Sequence, residues 1–290
     1  MSRKSSELLA RANALAPLSS TDLVTLCDFL YARTGMQFGE SKRYYIDRRV
    51  ADRMAQHHTK SFGDYFALLR ANADETEQLI NSFTINETYF YREEHQLACL
   101  SRSILPEIIQ SKRPGDRIRI WSVPCSSGEE PYSIAIWLLE NWALVDAYNV
   151  EIVGSDIDTD IVAQALDANY GQRAVMRLSP DLVQRYFTQL DDGRLRLISD
   201  LRESVTFNQT NIMDPAAVAR LGSFDVIFCR NLLIYFDAAA RVQCMRIMFK
   251  SLVPGGYICL GHSESMTRIS EHFVTRRFAD AIVYQKPETA

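Results

Sequence analysis

The chain has 290 residues, with 32 Lys/Arg against 36 Asp/Glu, a formal net charge of −4 and 47% apolar residues. That length allows one to two domains around a sizeable core, and the mild acidity argues against a nucleic-acid backbone as the main partner. No apolar run of about 18 residues and no basic start followed by an apolar stretch occurs, so the protein is expected to be cytoplasmic and not membrane-embedded.

Charge is uneven: residues 1 to 70 hold 11 Lys/Arg and 7 Asp/Glu, a balance of +4, so the other 220 must carry −8. The first twenty residues read as a flexible segment (1–20). A helical domain (21–85) follows. Ser20 can cap a helix from Thr21 to Arg33, and Ser41 a second from Lys42 to Gln56, with further helical patterns at Asp64–Ala71 and Thr76–Phe83. On the second helix Lys42, Ile46, Arg49 and Arg53 share one stripe beside Arg48, which reads as a basic, solvated face.

A connector (86–110) with a helix near His95–Gln110 leads to the larger domain (111–290). There Arg117–Val123 reads as a strand, Pro124-Cys-Ser-Ser-Gly128 as a small-residue loop and Pro131 as the first turn of a helix. Glu129 and Glu130 at the positive end of that helix argue against a phosphate and for a ligand with positive charge or many hydrogen-bond donors. A second strand, Val150–Gly154, runs into Asp156, where an α/β fold grips a ribose diol; Asp158 reads as the cap of a helix from Thr159 to Ala168.

Between Tyr170 and Val205 the pattern departs from plain βα units, and Asp192-Gly193 signals a hairpin, giving an inserted β subdomain (171–205). Phe224–Cys229 is a buried strand ending in Arg230-Asn231. A helix from Ala238 to Leu252, a Pro254-Gly255-Gly256 breaker, a strand Tyr257–Leu260 and two closing strand runs near His272–Phe278 and Ala281–Gln285 complete the chain. The fold class is therefore α/β, a Rossmann-like, mostly parallel sheet with a reversed edge strand, preceded by helices. The six cysteines never form a C-x-x-C pair and, with scattered histidines, give no metal pattern; buried, reduced thiols and no metal are expected.

Five motifs in order, N-E-T-Y-F-Y-R (Asn86–Arg92), G-E-E-P-Y-S (Gly128–Ser133), S-D-I-D (Ser155–Asp158), F-C-R-N-L-L-I-Y-F (Phe228–Phe236) and G-H-S-E (Gly261–Glu264), resemble the CheR-type chemotaxis receptor methyltransferases, a class I S-adenosylmethionine-dependent family. The resemblance implies a seven-stranded sheet, S-adenosylmethionine as cofactor with S-adenosylhomocysteine as product, and transfer of methyl to glutamate carboxylates of membrane chemoreceptors. It maps donor binding onto Asn86, Thr88, Arg92, Glu130, Asp156, Asn211, Ile212, Arg230 and Asn231. Arg92 and Tyr235 become the catalytic, positioning pair, and Arg49 and Arg53 docking groups for the receptor's cytoplasmic helices. In some members the β subdomain binds a peptide at the receptor's C-terminus by strand addition; the shorter loop here leaves that partner open.

Two rivals stand beside this reading. A nucleic-acid methyltransferase is suggested by N-L-L-I-Y, but Leu232 and Leu233 replace the two prolines of the [DN]-P-P-[YFW] motif and the chain is acidic. A non-catalytic module that senses S-adenosylmethionine is the other, against which Arg92 and Tyr235 speak.

Overall fold

A computed structural model describes residues 17–288, so most of the segment 1–20 lies outside the described residues. The chain divides into two compact units, one ending at Ile85 and one beginning at Asn86.

Among the described residues the first unit holds four α-helices: α1 Ser20–Thr34, α2 Arg43–Gln56, α3 Phe62–Ala71 and α4 Ala73–Phe83. The cap of α1 is Ser19, one residue before the expected Ser20: Ser19 is extended (φ −63°, ψ 160°) and its side chain accepts from the Asp22 N–H. Ser41 caps nothing, because a short 3₁₀ turn, Glu40–Lys42, precedes α2. Ser61 and Asn72 cap α3 and α4 by accepting from Asp64 N and Glu75 N.

The expected solvent stripe of α2 is instead largely taken up by the unit's own packing. Ile46 is fully buried. Arg49 Nε donates to the Ser82 carbonyl and its guanidinium lies 3.2 Å from the Tyr45 ring centroid. Arg53 pairs with Glu75, a buried carboxylate that also accepts from the Tyr65 hydroxyl at 2.7 Å and contacts His57. Burial alone would raise the Glu75 pKa, but Arg53 and Tyr65 hold it below its ordinary 4.5. Its ionised form therefore contributes stability above pH 4.5 that is lost as pH falls through the lower folded value. Glu75→Gln keeps one acceptor and loses the charge, and should cost about 1 to 2 kcal/mol at neutral pH, read as a lower urea midpoint with unchanged slope. Near pH 3 the difference from wild type should shrink; a constant difference would refute the linkage.

The second unit is built on a seven-stranded sheet in the order β6-β2-β1-β7-β8-β10-β9. Its strands are β1 Arg117–Ser122, β2 Asn149–Asp156, β6 Val205–Gln209, β7 Phe224–Cys229, β8 Leu252–Leu260, β9 Val274–Arg277 and β10 Ile282–Gln285. β6, β2, β1, β7 and β8 are parallel, and β10 is the reversed strand, paired antiparallel with β8 and with the edge strand β9. All six residues of β7 are buried, as a central parallel strand covered on both faces requires. Its polar member, Asp225, is paid for by Lys112 Nζ at 2.9 Å and the Arg119 N–H at 2.7 Å.

β6 is a strand that the sequence pattern does not signal, because its V-T-F-N-Q is short and mostly polar. Pro254-Gly255-Gly256 does not separate helix from strand but lies inside β8, where the register with β7 slips between Phe224 and Val226. A second, three-stranded antiparallel sheet holds β3 Asn169–Tyr170, β5 Leu195–Leu197 and β4 Phe187–Gln189 in the order β3-β5-β4, and Gly193 in the β4–β5 turn has φ 81°. No described helix is long and apolar enough to cross a membrane. Among the described residues five cysteines are buried and Cys27 is half-buried, all are free, and no cluster of metal-ligating side chains occurs.

Candidate active site

The chain runs β1, β2, β6 to one side of the sheet, then returns to place β7 on the other side of β1. Open α/β sheets bind ligands at such a reversal, outside the carboxyl ends of the strands. Here Ser122 ends β1, Asp156 ends β2, Gln209 ends β6 and Cys229 ends β7; Asp156 pairs with Gln209, whereas Ser122 pairs with Gly154 and Phe228, so β2 and β7 run past the end of β1.

At the end of β2, Asp156 is 3% exposed. Its Oδ2 accepts from Ser126 N at 2.9 Å and its Oδ1 from Asp158 N at 3.1 Å. Burial pushes its pKa up to about 6 despite those N–H groups. Asp158 is the expected helix cap, accepting from Ile161 N, and it also accepts from Asn86 Nδ2 at 2.9 Å. The connector is thereby tied to the β2 end, with Thr88 half-buried in the same stretch. Beyond β6, Asn211 accepts from Met213 N through its side chain, which shapes the turn, and Ile212 is buried.

At the β1/β7 junction Glu130, in the first turn of the helix Glu129–Asn141, faces Arg230. Arg230 Nη1 donates to Glu130 Oε2 at 2.8 Å, and Ser122 Oγ donates to Glu130 Oε1 at 2.8 Å. Burial raises the Glu130 pKa and Arg230 opposes it. The Arg230 side chain, expected to contact the donor, is thus committed to the protein: Nη2 donates to the Arg92 carbonyl at 2.7 Å and lies 3.3 Å from Glu93 Oε2. Arg92 is half-buried, with Nη1 donating to the Glu87 carbonyl at 2.8 Å. Asn231 and Tyr235 follow β7, Tyr235 half-buried at the end of the 3₁₀ turn Leu233–Tyr235.

The sequence shows Glu264 only as a letter of the G-H-S-E motif. Its carboxylate accepts from Asn231 N, Leu233 N and Gly261 N at 2.8, 2.7 and 2.8 Å, clamping the loops after β7 and β8 together. A Cβ on Gly261 would stand 2.8 Å from Glu264 Oε2 and 3.1 Å from Asn231 N, so a side chain there would have to displace the clamped carboxylate. Backbone strain gathers here too. Tyr91, Glu93, Ser126 and Asn231 have φ of 58°, 57°, 49° and 59°. Each left-handed non-glycine residue costs about 1 to 2 kcal/mol, which persists where the surroundings over-determine it, as at functional sites.

A nucleoside donor with an amino-acid arm fits this donor set. Each oxygen of a carboxylate has about two acceptor positions, so Asp156, with one N–H on each oxygen, keeps capacity for both hydroxyls of a ribose. Glu130 stands one strand away, its carboxylate held by Arg230 and Ser122. Burial, with Asp156 and Glu130 nearby, pushes the Cys125 thiol well up and keeps it protonated.

Two family models match the chain: "CheR methyltransferase, all-alpha domain" over residues 21–84 and "CheR methyltransferase, SAM binding domain" over residues 86–281. Among curated relatives, chemotaxis protein methyltransferase 2 of Vibrio cholerae is 46% identical over 272 residues, covering 93% of this chain and 94% of the relative. The chemotaxis protein methyltransferase of Klebsiella aerogenes is 36% identical over 280 residues, with 94% and 93% covered. Chemotaxis protein methyltransferase 1 of Pseudomonas aeruginosa is 34% identical over 263 residues, with 89% and 94% covered.

Proposed function

The chain belongs to the CheR methyltransferase family, and on that premise we propose that it methylates glutamate side chains on the cytoplasmic helices of membrane chemoreceptors, forming methyl esters. Dependence on S-adenosylmethionine and a role in chemotaxis come with the family. Glutamate as acceptor, and the cytoplasm as the place, are our reading.

One observation carries the choice of acceptor. Every carboxylate around the site already accepts bonds from the chain itself: Asp156 from two backbone N–H groups, Glu130 from Ser122 and Arg230, Glu264 from three backbone N–H groups. Such groups orient ligands and loops; a general base must instead reach the acceptor's proton. A glutamate acceptor, with an ordinary pKa of about 4.3, is ionised at neutral pH and needs no base.

The bound donor supplies a methyl group on a sulfonium, which a carboxylate oxygen can take with cancellation of both charges. The protein's task is then alignment in a site shielded from water, which can be worth about 7 to 11 kcal/mol. Asp156 holds the ribose, Asn211 and the Ile212 backbone read the adenine edge, and Glu130 balances the cationic arm, with Asn86, Thr88 and Asn231 completing the wall. Arg230 acts on the donor only through Glu130. Arg92 orients the acceptor carboxylate, loosely enough that the reactant anion is not over-stabilised. Tyr235 shapes the acceptor side with its ring and hydroxyl.

For docking, the bonds of Arg49 and Arg53 within the helical unit favour the groups that α2 leaves outward. Tyr44 is 81% exposed and Arg48, one turn on, is exposed as well. An exposed ion pair is worth roughly 0.2 to 1 kcal/mol, so docking should weaken with salt.

The test uses radiolabelled S-adenosylmethionine and membranes carrying chemoreceptors. Label should enter receptor glutamates as a base-labile ester, and Tyr235→Phe should lower turnover about tenfold, ~1.4 kcal/mol, with donor affinity little changed. Absence of transfer to every receptor of the host would sink the reading.

A further inference from the structure

We propose that Glu93 and His262 are positioning residues which, through Arg230, hold the backbone of Arg92 in place for the acceptor. The proposal rests on the methyl-transfer reading above and goes beyond it by assigning work to two side chains outside the donor wall.

Arg92 stands between two left-handed residues, Tyr91 at φ 58° and Glu93 at φ 57°. A double kink of this kind does not hold itself, and it is pinned at each end. On the approach, Phe90 N donates to the Ala174 carbonyl at 2.8 Å and Tyr91 N to Ser133 Oγ at 3.0 Å. On the exit, Arg230 Nη2 donates to the Arg92 carbonyl at 2.7 Å and lies 3.3 Å from Glu93 Oε2. Glu93 is gripped from two further sides: Gln96 Nε2 donates to Oε2 at 2.9 Å, and His262 Nδ1 lies 2.9 Å from Oε1. Burial would raise the Glu93 pKa, but Arg230 and His262 hold it below its ordinary value, so the clasp keeps its negative charge.

The rival account is that Glu93 merely helps to neutralise a buried arginine. Arg230 already has Glu130 for that, at 2.8 Å. Moreover, Arg230 Nε is buried with no partner, so the fork gives Nη2 to the connector while leaving one of its own donors unsatisfied. A guanidinium placed only for its own solvation would not be oriented so, and an unsatisfied buried donor marks a group held for another purpose. His262 is 69% exposed, so packing gives little reason for its contact with Glu93. Four segments that are distant in sequence meet in this clasp: the connector, the first turn after the donor loop, the end of β7 and the loop after β8.

The experiment compares Glu93→Gln, His262→Asn, Arg92→Ala and the doubles of each with Arg92→Ala, in the full chain. Glu93→Gln should lower kcat about tenfold and His262→Asn about threefold, while S-adenosylhomocysteine affinity by calorimetry stays within about threefold of wild type. In the Arg92→Ala background both substitutions should change turnover by less than about twofold, because their effect passes through Arg92. Independently of activity, hydrogen exchange of the amides from 90 to 93 should quicken in Glu93→Gln and in His262→Asn while that of β1 and β7 is unchanged. Equal losses with and without Arg92, donor affinity falling as far as kcat, or unaltered exchange at 90–93 would each overturn the clasp. If Glu93→Gln does not fold, His262→Asn carries the same three readouts. Failure of wild type to label any receptor would count against the acceptor reading, and the exchange data would still decide the clasp.

Discussion

Asp156→Ala is expected to weaken S-adenosylhomocysteine binding by about 3 kcal/mol, roughly 150-fold, because on the proposed function it removes two charge-assisted hydrogen bonds to the ribose diol. The pH dependence should carry the signature of this one group. With its pKa pushed up to about 6 by burial, Asp156 is protonated over part of the range in which the protein can be assayed. Only the carboxylate accepts from both hydroxyls, so affinity should fall by about tenfold between pH 8 and pH 5. Asp156→Asn should bind weakly at both pH values and show a flat profile. The sign for folding is opposite. A folded-state pKa of about 6, raised above the ordinary 3.8, means that the donor-free fold holds the proton more tightly than the unfolded chain does. This group's contribution to stability therefore falls as pH rises from 3.8 to about 6, by about 3 kcal/mol in all. Donor binding restores part of that loss, so the thermal shift on adding S-adenosylhomocysteine should be larger at pH 8 than at pH 5. An affinity that is flat across this range in wild type would show that Asp156 is not the ribose ligand.

The place of Asp156 at a strand end is legible because its signal is local: an apolar strand, an acid at its end and the length of a βαβ unit since the previous strand. The same holds for β1, β7 and the helix after the small-residue loop, where apolar period and breaker residues agree. What the sequence hid depended on partners far along the chain. Glu264 and Asn231 are 33 residues apart, and Glu93 and His262 are 169 apart, so no local pattern gives either pairing. The α2 stripe misled for a related reason. Helical spacing groups Ile46, Arg49 and Arg53 on one side, but whether that side faces water depends on what packs there, and Glu75 from α4 stabilises Arg53 facing inward. β6 was missed because V-T-F-N-Q lacks a clean alternation or an apolar run, and its place is set by pairing with β2 from Ile152 to Asp156.

Arg230→Met should be among the most destabilising single changes in the second unit. The guanidinium is 3% exposed and neutralises Glu130, whose side chain is 14% exposed, and Glu93, at 10%. Removing one partner of a buried pair leaves the other charge stranded, a loss of about 3 to 5 kcal/mol, whereas replacing both partners by apolar groups can be neutral. For a unit of this size each kcal/mol lowers Tm by about 2 to 4 °C, so a fall of about 10 °C is expected in a thermal scan. Arg230→Lys should recover little of it. One ammonium cannot point at Glu130 Oε2 and at the Arg92 carbonyl at once, as the two arms of the fork do. Adding Glu130→Met to Arg230→Met should restore several degrees, because the stranded carboxylate goes with its partner, although donor binding would stay weak. That pattern, a large stability loss repaired by removing Glu130, separates Arg230 as a strut from Arg230 as a donor ligand. A donor ligand would show the reverse: a small change in Tm, with donor affinity lost as soon as the arginine is replaced.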